Sequence, residues 1–159
     1  MKFRKTLFVA TLSAAGLFVS GFALAQAPAP SYPPSIGQMV AATKKQIKTV
    51  NLQDFKAAYD RKELGLLVDV RQENEFEDGF IPGAVNVPRG LIEFRIWKLV
   101  GFPDKTDQAT KMTLYCATGG RCALATKSLQ DLGFTNVTSA DLKYDDWVKA
   151  GYAVAMPKK

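Results

Sequence analysis

Histidine is absent from the 159 residues. That excludes Ser–His and Cys–His catalytic pairs and every histidine-ligated metal centre. Cysteine occurs only as Cys116 and Cys122. Their spacing is neither a CxxC redox pair nor half of a zinc ribbon, so no metal site is expected. Neither GxGxxG nor GxxxxGK[ST] is present, which leaves nucleotide phosphates without a cradle and predicts no cofactor. No basic stripe with interleaved aromatics points to nucleic acid, and no segment repeats. Any chemistry must therefore run on cysteine, carboxylates, arginine, lysine and backbone amides.

The amino-terminal stretch reads as a targeting segment. Lys2, Arg4 and Lys5 form a basic start, and an apolar run follows from Leu7 to Leu24. Thr11, Ser13, Gly16, Ser20 and Gly21 dilute that run below the character of a membrane anchor. Small residues then fit cleavage after Ala25 or Ala27, so residues 1–25 are expected to be a signal peptide. With no twin arginine, the expected route is general secretion into a bacterial periplasm, without stable membrane association after cleavage. Loss of Lys2, Arg4 and Lys5 takes the net charge from +6 to +3, ordinary for a soluble domain. Lys44, Lys45 and Lys48 read as a solvated helix face.

Residues 26–49 are expected to be a linker rich in proline (Pro28, Pro30, Pro33, Pro34) and a short amphipathic helix carrying Ile36, Met39, Val40, Thr43 and Ile47. Residues 50–159 suit one domain of alternating strands and helices. Asn51 caps a helix to about Arg61, and Leu66–Val70 reads as a buried strand. A helical turn from Glu73 to Asp78, a strand from Ala84 to Val87 and a long apolar helix from Leu91 to Val100 follow. Met112–Cys116 reads as a strand and Arg121–Leu132 as a helix stopped by Gly133. Val137 begins a last strand and Asp141–Ala150 a last helix. This order predicts an open α/β sheet, whose ligands bind at the carboxyl ends of strands.

Cys116 lies at such an end and opens the run CATGGR. Small and turn-prone residues there predict a loop whose N–H groups point inward, ahead of a helix amino terminus. Unpaired donors, the positive helix end and the Arg121 charge all favour thiolate over thiol. The same concavity suits an anion. The pattern points to a nucleophile that attacks small anions, with an inert buried cysteine as the alternative.

The segments LLVDVRQENEFEDGFIPGAVNVP and YCATGGRCALA resemble the rhodanese (thiosulfate sulfurtransferase-like) family. Gly133-Phe134, Trp147 and Ala150-Gly151-Tyr152 extend the likeness, which covers roughly Val50 to Val154. The resemblance implies a rhodanese-like α/β fold: an open parallel five-stranded sheet flanked by helices. It also implies transfer of a sulfane sulfur, from thiosulfate or a similar donor, through a persulfide on Cys116. The implied acceptors are cyanide, a small thiol or a thiol protein. Ala117, Thr118, Gly119, Gly120 and Arg121 would form the substrate-binding nest, with Arg121 attracting the donor anion and bracing the loop. The six-residue stretch from Cys116 to Arg121 resembles that of sulfurtransferases. Phosphatase and arsenate-reductase relatives carry one residue more. Two positions depart from the family: Phe80 replaces a common histidine, and Leu142-Lys143 replace a frequent Gly-Gly pair.

Other positions carry two readings each. Arg89 either faces the donor anion or is a solvated turn residue. Cys122 either forms a disulfide that switches or resolves the nucleophile, or packs inertly against the sheet. Phe94, Trp97 and Phe102 belong to a core helix or to a lid. Asp69 with Arg71 reads as an anchoring ion pair and Glu75 as a structural partner. A persulfide carrier with little turnover of its own is the alternative to a turning-over enzyme.

Overall fold

The computed structural model describes residues 32–157. The expected signal peptide and most of the proline-rich linker lie outside that range. The compact body begins at Tyr32. Its first helix, α1 (Pro34–Lys44), has proline at its first position, where the fixed φ favours helix and no N–H is lost. Only Val40 and Thr43 turn inward, while Ile36 and Met39 stay exposed. The expected apolar stripe is therefore a narrow contact, made against the start of a later helix.

Five parallel strands form one sheet in the order β1-β5-β4-β2-β3. They are β1 (Lys48–Val50), β2 (Leu66–Asp69), β3 (Val85–Asn86), β4 (Met112–Tyr115) and β5 (Val137–Ala140). The helices between them are α2 (Leu52–Asp60), α3 (Glu73–Glu77), α4 (Ile92–Arg95), α5 (Gly120–Asp131) and α6 (Tyr144–Lys149). Asn51 caps α2 by accepting from the Asp54 N–H at 2.9 Å. The edge strand β1 was not expected from the sequence. It draws α1 and β1 into the domain ahead of residue 50.

The period of two along β4 sorts its side chains between two cores. Met112, Leu114 and Cys116 pack on one face with Cys122, Ala125 and Leu129 of α5. Tyr115 points to the other face, among Phe55, Ile81, Leu142 and Trp147. All four β4 residues are buried, as a central parallel strand requires.

The helix expected over Leu91–Val100 is broken into α4 with tighter helical turns on either side. Ile92, Ile96 and Val100, four residues apart, are all buried. The Trp97 indole N–H, however, donates to the Glu93 carbonyl at 2.7 Å, the acceptor a continuous α-helix would offer the Trp97 backbone. Trp97 packs on Phe134 with ring centroids 5.2 Å apart, which is the core reading, whereas Phe94 is 80% exposed. The last helix begins at Tyr144, because the Asp141 N–H still serves the sheet by donating to the Val50 carbonyl. Leu142 and Lys143 need no glycine-like backbone: Lys143 is extended, with φ −98°. Phe80 stacks on Phe76 at 4.0 Å and bridges to Ala155, a structural use of its position.

Candidate active site

Cys116 follows the last residue of β4, in the middle of the sheet, and is fully buried. The chain then turns through Ala117, Thr118 and Gly119 and enters α5 at Gly120. Gly119 has φ +80°, in the left-handed region. A Cβ there would also stand 2.9 Å from Asp141 Oδ1, so both backbone and space call for glycine. At Gly120 a Cβ would meet Val40 of α1 at 3.6 Å, an ordinary contact.

The loop turns donors onto the Cys116 sulfur. Cys122 Sγ lies 3.5 Å away, and the Cys122 backbone N–H donates to the same sulfur at 3.4 Å. The Cys122 thiol is the largest influence lowering the Cys116 pKa, to about 6; burial opposes it, and the N–H groups of Cys122, Thr118 and Gly119 reinforce it. The pair divides its charge unequally. The hydrogen bond to Cys116 and complete burial push Cys122 well above the ordinary thiol range. Cys116 thus holds the negative charge and Cys122 the proton. Both are free thiols.

Arg121 extends from the first turn of α5 and forks onto Glu75, at 2.6 and 2.7 Å. That fork holds the Glu75 carboxyl down at about 2 and raises Arg121. The Cys116 charge adds to the rise in Arg121, so the guanidinium feels the thiolate while bonded to the carboxylate. Glu75 also accepts from the Gln72 N–H at 3.0 Å, which caps α3, so the Arg121 fork ties a fixed α3 to the start of α5. Arg121 therefore braces the loop, and Glu75 balances much of its charge.

Arg89 is not brought to the loop. Its guanidinium donates to Glu93 at 2.8 Å and to Ser128 at 3.0 Å. Ser128 stands seven residues beyond Arg121 on α5, roughly 10 Å along the helix axis. Of the two readings of Arg89, facing the donor anion or lying in a solvated turn, these contacts support neither directly: they make it a brace between its turn and α5. Pro88 starts that turn, and the competing partners Glu93 and Ser128 capture the side chain. Asp69 and Arg71 form a buried pair at 2.6 Å, and Arg71 also donates to the Gly79 carbonyl and lies over the Tyr144 ring.

Lys44 was read only as part of a solvated face, and Ser139 and Tyr144 were not singled out in the sequence. Lys44 of α1 pairs with Asp141 at 2.5 Å, and its Nζ stands 3.4 Å from where a Gly119 Cβ would lie. The Ser139 hydroxyl donates to Cys122 Sγ at 3.3 Å. The Tyr144 N–H donates to the Ala117 carbonyl at 2.9 Å, so α6 fixes the start of the loop. None of them carries a local signal, since each joins the loop only through chain reversal. Thr118 is the exposed member of the loop and borders a cleft of about 330 Å³ shared with Asp141 and Lys143.

This geometry has counterparts in known proteins. Residues 51–150 match the rhodanese-like domain. A thiosulfate:glutathione sulfurtransferase of Saccharomyces cerevisiae is 31% identical over 123 residues, covering 69% of this chain and 88% of its own. A putative sulfur carrier protein of Bacillus subtilis is 27% identical over 70% of this chain and 56% of its own. Among solved structures, a Rhodopseudomonas palustris protein of unknown function, described as a possible tyrosine phosphatase, superimposes with TM-score 0.64. It is 28% identical, over 82% of this chain and 99% of that one. The expected parallel five-stranded α/β fold is the one observed, and the match over residues 51–150 spans every site element from α2 to α6. The chain therefore belongs to the rhodanese-like family, with sulfurtransferases among its relatives.

Proposed function

We propose that the mature protein is a periplasmic sulfurtransferase that carries a sulfane sulfur on Cys116. Thiosulfate, or a donor of similar chemistry, meets a sulfur that is already ionised. The Cys116 thiolate attacks the outer sulfur, the sulfur–sulfur bond of the donor breaks, and sulfite departs with its electron pair. Sulfite is a stable anion, so no general acid is needed, and a chain without histidine suffices. The persulfide then yields its outer sulfur to cyanide, a small thiol or a thiol protein. The amides of Thr118 and Gly119 stabilise negative charge on the Cys116 sulfur.

One observation carries this reading: the Cys116 sulfur is surrounded by donors that favour its anion, and Cys122 keeps the proton. The six-residue loop favours sulfur over a tetrahedral phosphoryl or arsenyl centre. The test is thiosulfate-dependent thiocyanate formation by the wild type and by Cys116→Ser. The variant should be inactive and should take up no sulfur by intact mass; undiminished activity in it would refute the proposal.

The burial of Cys116 favours a second reading, a persulfide carrier that hands sulfur to a docked protein. Stoichiometric loading with slow release to cyanide and fast release to a protein thiol would select it. Export is tested by amino-terminal sequencing of periplasmic protein, with a start at Gln26 or Pro28 expected.

A further inference from the structure

Cys122 does more than supply a hydrogen bond. Alternation along β4 points Cys116 to the face that α5 covers, and the first turn of α5 points Cys122 back at it. The two sulfurs lie 3.5 Å apart, about 1.5 Å more than a disulfide bond. The Cys122 backbone N–H addresses the same Cys116 atom. On its other side, Cys122 Sγ accepts from the Ser139 hydroxyl at 3.3 Å, a donor that stabilises developing negative charge. The Cys122 thiol can also donate to the Ala140 carbonyl at 3.3 Å, so its proton has a second acceptor when Cys116 is not anionic.

We infer that Cys122 is a resolving thiol: it attacks the inner sulfur of a Cys116 persulfide, closes a Cys116–Cys122 disulfide and expels the carried sulfur as sulfide. The inference rests on the sulfur-transfer reading above and adds an activity to it, the reductive release of sulfide. The bond formed is Cys116 Sγ–Cys122 Sγ, and the bond broken joins Cys116 Sγ to the outer sulfur. The Cys122 proton ends on the departing sulfur, so a persulfide anion and a thiol become a disulfide and hydrosulfide. Two thiol sulfurs are oxidised and one sulfane sulfur is reduced. No further oxidant is needed. A second turnover needs an external dithiol reductant to reopen the disulfide.

The unloaded site does not undergo this step. Without a sulfane sulfur there is no oxidant, and the Cys116 thiolate holds the proton on Cys122. Loading moves the negative charge outward by one atom. The strongest influence holding Cys122 protonated then fades, while the Ser139 hydroxyl stays in place.

The test is a single turnover of the reduced full-length mature protein with thiosulfate and no added acceptor or thiol. Sulfite, sulfide, intact mass and free thiols are followed together. The wild type should release sulfite, then one sulfide per chain, and finish lighter by two hydrogens with no free thiol. Cys122→Ser and Cys122→Ala lose the donor that most lowers Cys116, so they should load more slowly; once loaded, they should retain the mass of one extra sulfur and release less than a tenth as much sulfide per loaded chain. A wild type that keeps its persulfide as long as both variants do would overturn the resolving role and leave sulfur transfer standing. Equal sulfide release from wild type and variants would overturn it as well. If no chain loads and no sulfite appears, sulfur transfer itself fails and the resolving role falls with it.

Discussion

Gly119→Ala tests whether the loop amides control the nucleophile. Gly119 holds φ +80° and presents its N–H to Cys116. Alanine in that conformation costs about 1–2 kcal/mol. Its Cβ would also press on Asp141 Oδ1 at 2.9 Å and stand 3.4 Å from Lys44 Nζ. The chain can relieve this strain by rotating the peptide, which takes the Gly119 N–H away from the sulfur. One pKa unit corresponds to about 1.4 kcal/mol, so relief on that scale raises Cys116 by at most about 1.5 units. The shift is bounded in another way. The Cys122 thiol, not the Gly119 amide, is the largest influence, and the variant leaves it in place. The Cys116 midpoint should therefore move from about 6 to no higher than about 7.5. At pH 7 the thiolate share then falls from about nine-tenths to no less than about a quarter. The assay is the rate of iodoacetamide alkylation against pH, read by intact mass. Both sulfurs are buried, but Cys122 keeps its proton and should stay unmodified in this range. A folded Gly119→Ala protein whose alkylation midpoint is unchanged, or lower, would refute the control assigned to the loop.

Glu75→Gln should release Arg121 from its carboxylate and slow sulfur loading several-fold by loosening the loop, measured as sulfite release. It should also flatten the acid side of the stability curve: Glu75 is lowered from 4.5 to about 2, so its contribution is complete above 4.5 and is lost as pH falls through 2, as acid titration by circular dichroism can follow. Arg89→Ala should leave loading kinetics unchanged and cost under about 1 kcal/mol in urea unfolding, since its contacts are a partly exposed brace. Asp69→Asn should cost about 3–5 kcal/mol by the same measurement, because it strands a buried guanidinium.

Much of the site was legible because it is local in sequence. The apolar run Leu66–Val68 and the alternation from Met112 to Tyr115 identify buried strands, and CATGGR places small residues where only a tight turn into a helix can go. The parts that were not legible depend on distant partners. Lys48-Thr49-Val50 has little apolar character and becomes a strand because Val50 pairs with Ala140 of β5. Arg89 looked available to an anion until Ser128, 39 residues later, came within reach. Lys44 read as solvated, yet Asp141 draws it against the loop. Over Leu91–Val100 a continuous apolar helix was expected, and the backbone is broken where one indole N–H takes a helical acceptor. Sequence periodicity reports which face is buried. It does not report which side chains compete for backbone partners.

The loop is held from several directions at once. β4 leads into it and α5 leads out; Glu75 on α3 fixes Arg121, the Tyr144 N–H fixes Ala117, and Lys44 with Asp141 closes the side next to Gly119. Such bracing has a chemical use. In the proposed reaction the negative charge moves by one bond, from the cysteine sulfur to the sulfur beyond it. Donors fixed before the reaction need not reorganise as that charge moves, which is where preorganised sites gain over water. The paired cysteines serve the same end by a different route. A proton held on Cys122 supplies the stabilisation that a histidine or a metal gives elsewhere, and it does so from an atom that can itself bond to sulfur. A chain without histidine can therefore keep one thiol ionised, provided that the second thiol is close and the loop between them cannot relax.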